Sequence, residues 1–178
     1  MMISANGQRI LKILHLLTMT YWVGGALAVL TLFLAAPYAF SDGELFGFAR
    51  ASMFIGTYML VYLGAMGTLF TGLAYSLCTN RGFFRHKWVV IKWVITLGFI
   101  LLGFSTLGPS AAKELDAIRD LGLAALQNPE IQALRRERFW MMVAETVFFI
   151  LAFILSVYKP WEKGELMRQA IRQGRPFD

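Results

Sequence analysis

Four ionisable side chains fall inside long apolar stretches, and their depths decide what chemistry they offer. His15 ends the run Leu11-Lys12-Ile13-Leu14-His15, six residues past Arg9, and Lys92 ends Trp88-Val89-Val90-Ile91-Lys92, five past Lys87. At 1.5 Å per helical residue, both groups lie roughly 7–9 Å into hydrocarbon from one face. Such groups are costly in a bilayer, so each needs a partner or a purpose. A protonated histidine and a protonated lysine cannot neutralise one another. If they share a space, at least one is neutral or an anionic group sits between them. A neutral imidazole and a neutral amine are both able to ligate haem iron. A carboxylate-bearing ligand would also satisfy Lys92. The plain structural alternative is that Lys92 snorkels to the inner headgroups while His15 donates to a backbone carbonyl of a neighbouring helix.

Arg50 lies six residues past Glu44, and Glu145 seven past Arg138. Their similar depth from the other face predicts an Arg50–Glu145 ion pair tying the second helix to the fourth. His86 stands in a basic run and reads as an interfacial residue. Met53, Met59, Met66, Met141 and Met142 form a thioether series that would suit cuprous copper, at spacings equally suited to packing. No nucleophile–base arrangement, phosphate-binding glycine loop or zinc-ligand spacing is present in the sequence.

The elements that carry these residues are all helical. The chain has 178 residues, 57% of them apolar, arriving in four blocks long enough to cross a membrane. Isolated strands would leave backbone groups unpaired in lipid, so each block reads as a helix. The expected fold is an all-α polytopic membrane four-helix bundle over residues 1–161, with spans at about 9–36, 45–77, 87–107 and 139–158. Gly108-Pro109 is expected to stop the third span. A short outer amphipathic helix follows at 110–128, capped at Ser110, with Leu115, Ile118, Leu121 and Ala125 on its apolar side. Gly56, Gly64, Ala65, Gly67 and Gly72 on helix two allow close backbone approach.

The net charge of +6 does not point to nucleic acid. With four spans the termini share a side, and the basic excess falls there: Arg9, Lys12, Arg81, Arg85, Lys87 and the tail 162–178. The other side is mixed in sign. This places the protein in a bacterial inner membrane with both termini and the basic tail cytoplasmic. The first apolar run continues well past the signal-like Ala26-Leu27-Ala28, so it is expected to be retained as a span. The lone Cys78 implies no internal disulfide.

The run from Leu11 to His15, with Trp22 and Gly25 beyond it, resembles the first helix of HemJ-type protoporphyrinogen oxidases. Trp88 four residues before Lys92 resembles that family's second signature. Thr31, Ala36 and Val90 stand where the family carries an arginine and two histidines. The resemblance implies haem b or a porphyrin between helices one and three, with His15 and Lys92 as metal and cofactor residues and Trp22 as a wall. The activity it implies is electron transfer or tetrapyrrole oxidation. The chain is also similar to the wider group of bacterial four-helix integral membrane proteins that includes CopD-like copper-resistance domains. That likeness leaves two further expectations: a non-enzymatic membrane subunit or scaffold with a protein partner or second copy, and copper or small-solute transport.

Overall fold

The computed structural model describes residues 4–78 and 87–158. The expectations for His86 and the basic tail fall outside the described residues. Among the described residues there is no strand, and the chain forms four long helices. Helix α1 is Ala5–Ala35, followed by a 3-10 turn at Ala36–Tyr38. Helix α2 is Asp42–Cys78, helix α3 is Val89–Gln127 with Lys87 opening its first turn, and helix α4 is Pro129–Tyr158. Three of them, α1, α2 and α3, are long and apolar enough to cross a membrane.

Local chemistry sets the helix ends. Ser41 and Glu44 form a capping box: Ser41 Oγ accepts from the Glu44 amide at 3.2 Å, and Glu44 Oε2 accepts from the Phe40 amide at 2.8 Å. Asp42 beside them accepts from the Leu123 amide at 2.7 Å, fastening the start of α2 to the end of α3. Gly122 makes that contact possible. Its φ is +58°, and a Cβ there would sit 2.4 Å from the Asp42 carboxyl.

Gly108-Pro109 does not stop the third helix, contrary to expectation. The helix widens to π form over Gly103–Leu107, where the Gly108 amide reaches back to the Gly103 carbonyl, and continues as α-helix over Gly108–Leu121. A wide turn tolerates the missing proline N–H by resetting the bonding pattern. Ser110 is therefore no cap. Its hydroxyl donates to the Thr106 carbonyl at 2.6 Å, inside the helix. A second π stretch, Gly56–Met66, lies in the middle of α2.

Apolar packing follows in layers. Trp22, Ala26, Ala65 and Phe149 form one cluster, and Val29, Phe33 and Met142 a second. A third joins Ala36, Leu45, Ile118 and Ala125, with Leu45 fully buried. The amphipathic face read at 110–128 thus closes on the ends of α1 and α2.

Candidate functional site

Helices α1 and α2 approach so closely that glycine is required between them. A Cβ on Gly64 would lie 2.5 Å from the Trp22 Cα, and one on Gly67 2.6 Å from the Thr18 Cγ2. One on Gly72 would lie 3.3 Å from the His15 Cε1. The small residues of α2 therefore serve packing within the chain. They hold against α1 the face that carries His15, Thr18 and Trp22.

Beside this contact lies a cavity of about 380 Å³, lined by residues of all four helices. His15, Lys92 and Trp22, singled out from the sequence on two different helices, all line it. Five aromatic residues stand in its walls: Trp22, Tyr75, Trp93, Phe148 and Phe149. Lys12 is exposed and lines the same space. Volumes of 300–1,000 Å³ with apolar walls and few polar groups are typical of small-molecule sites.

The hydrogen bonds around His15 fix its tautomer. Its Nδ1 lies 2.9 Å from the Thr71 hydroxyl. That hydroxyl's single proton is directed at the Gly67 carbonyl, 2.6 Å away. Thr71 Oγ1 therefore accepts from Nδ1–H, and Nε2 carries the lone pair. The partner is thus a side-chain hydroxyl on α2, where the plain alternative had a backbone carbonyl. Thr68 donates to Thr18 at 3.3 Å, and Thr18 donates to the His15 carbonyl at 2.9 Å. Three threonines so brace the ring and its backbone, as outer partners of metal-ligating histidines commonly do.

The Arg50–Glu145 pair does not form. Arg50 is exposed on α2, while Glu145 is 5% exposed and its Oε1 accepts from Trp22 Nε1–H at 3.2 Å. Matching depths did not imply matching faces. Trp22 is 4% exposed and meets Phe149 edge-on, with ring centres 5.3 Å apart. The carboxyl group of Glu145 thus positions a wall of the cavity.

A buried charge cluster lies toward the other end of the helices. Glu114 of α3 is paired with both Arg135 and Arg138 of α4. Arg135 also donates to the Phe33 carbonyl at 3.0 Å, and its guanidinium lies 4.2 Å from the centre of the Phe33 ring. Burial pulls Arg138 down to about 10, which leaves it cationic at neutral pH. Glu114 stands four residues before buried Ile118, and that spacing was the available signal for a buried carboxylate. Among the described residues, no three His, Cys, Asp or Glu side chains converge as a metal site.

No family model, curated protein or solved structure matches the chain. The geometry of the site therefore carries the functional reading by itself.

Proposed function

We propose that the chain is a multi-pass membrane protein of four spans whose cavity binds haem b or a porphyrin for electron transfer or tetrapyrrole oxidation. The observation that carries this reading is that His15 and Lys92, from α1 and α3, line one aromatic-walled cavity. The donor set suits the group. A histidine with Nδ1–H committed to Thr71 presents the Nε2 lone pair that iron binds, and Lys92 borders the same space. Trp22, Trp93 and the phenylalanines supply flat apolar surfaces, while Lys12 and Lys92 suit the carboxylates of a tetrapyrrole. His15 and Lys92 would hold the group, which when bound supplies one-electron chemistry. The chain's own part is to orient His15 through the threonines, to exclude water with the aromatic walls, and to fix Trp22 through Glu145.

The basic excess on the side of the termini supports an inner-membrane orientation with both termini cytoplasmic. Purified protein should show a Soret band, directly or after haem supplementation. His15→Ala should abolish it and Lys92→Ala should shift or weaken it. A wild-type protein with no such band after supplementation would reject the reading.

A further inference from the structure

Glu145 lies deep in the apolar part of α4 with no cationic partner among the described residues, and Trp22 Nε1–H is its single hydrogen-bond partner. It borders a second, smaller void of about 20 Å³, also bordered by Trp22. The remaining lining includes Leu60, Val61 and Met66 of the π stretch in α2, and Gly103 and Phe104 of the π stretch in α3. Both widened segments of the fold thus meet around one buried carboxyl group. Stretches of π-helix recur at functional sites, and they leave backbone carbonyls with altered partners.

We propose that Glu145 is a mid-membrane proton-binding site, holding a proton at neutral pH and giving it up to water at alkaline pH, with a hold set by the hydrogen bond from Trp22 in the wall of the large cavity. An ionised carboxylate offers about four acceptor positions, and one neutral indole N–H satisfies it poorly in an apolar interior. The protonated acid fits better: Oε1 accepts from Trp22, and Oε2–H has a void of single-water size to donate into. No residue lining the void from α1, α2 or α3 is ionisable. On α4 the neighbouring charge is Arg138, seven residues away and already paired with Glu114. Calcium and magnesium take six or more oxygen ligands, and among the described residues no cluster of His, Cys, Asp or Glu is present for a softer ion, so the proton is the fitting occupant. Loss of the proton strengthens the bond to Trp22, since charge-assisted hydrogen bonds are about twice as strong as neutral ones. By linkage, whatever moves Trp22 from the cavity side must change the hold on the proton. This inference goes beyond the tetrapyrrole reading and does not depend on what fills the cavity.

The test is pH-difference infrared spectroscopy of the full chain in lipid nanodiscs. Wild type should show a protonated carboxylic C=O band at neutral pH that is absent from Glu145→Gln and is replaced by carboxylate bands at alkaline pH. Trp22→Phe, which removes the donor to the charged form, should move that titration to higher pH. A neutral-pH difference between wild type and Glu145→Gln that contains only carboxylate bands would overturn the proposal. So would a band that moves with sodium at fixed pH. Should Glu145→Gln fail to fold, a titration that Trp22→Phe leaves unmoved overturns it equally. No chromophore is involved, so absence of a Soret band leaves this result independent.

Discussion

The imidazole of His15 is oriented by a hydroxyl whose own proton is committed to a backbone carbonyl. Thr71→Val keeps the shape and removes the acceptor. If the cavity takes haem as proposed, affinity for added haem should then fall about 10–100-fold, the usual cost of losing an outer partner, as read by haem titration. At the other end of the helices, Glu114→Gln leaves Arg135 and Arg138 without a counter-charge. It should destabilise the protein by about 3–5 kcal/mol in thermal unfolding, since breaking a buried pair strands the surviving charge. Asp116→Asn, which removes the exposed Arg119–Asp116 pair, should change stability by no more than about 1 kcal/mol. Depth along a helix is a count of residues, so the shared level of His15 and Lys92 was legible. The angle around the helix is not fixed by that count, and Arg50 and Glu145 show the difference. The threonines were illegible for another reason. Thr20, Thr31 and Thr146 each donate to the carbonyl four residues back, and nothing in residue type separates these from Thr71.

At the scale of elements, close contact between α1 and α2 is what brings His15 and Trp22 to the cavity. Gly64→Ala would drive a methyl group into the backbone of Trp22 and should destabilise by about 1–3 kcal/mol, as overpacking does. Gly24→Ala meets nothing within 4 Å and should be neutral or stabilising by up to about 1 kcal/mol. The comparison, made by thermal unfolding in one detergent, separates packing from helix propensity. The small residues of α2 were readable as a packing face because only backbone approach explains so many glycines in a span. The end of the third helix was misread because a Gly-Pro pair usually breaks a helix, while a π turn upstream absorbs the proline here.

For the whole molecule, the four-span reading makes a topological claim. With Cys78 replaced by serine, a cysteine at Ser4 should react with an impermeant maleimide only from the cytoplasmic side, and one at Leu123 only from the opposite side. Both labelling from one side would refute the arrangement. The helical class and three of the four expected membrane-length segments were plain in the sequence, because long apolar blocks admit few other folds. The continuity of α3 has a mechanical corollary. Lys92 and Glu114 ride one rod, about 33 Å apart at helical rise. A twist that re-aims the amine must either wrench the carboxylate from its two arginines or be taken up at 103–107, the segment that borders Glu145.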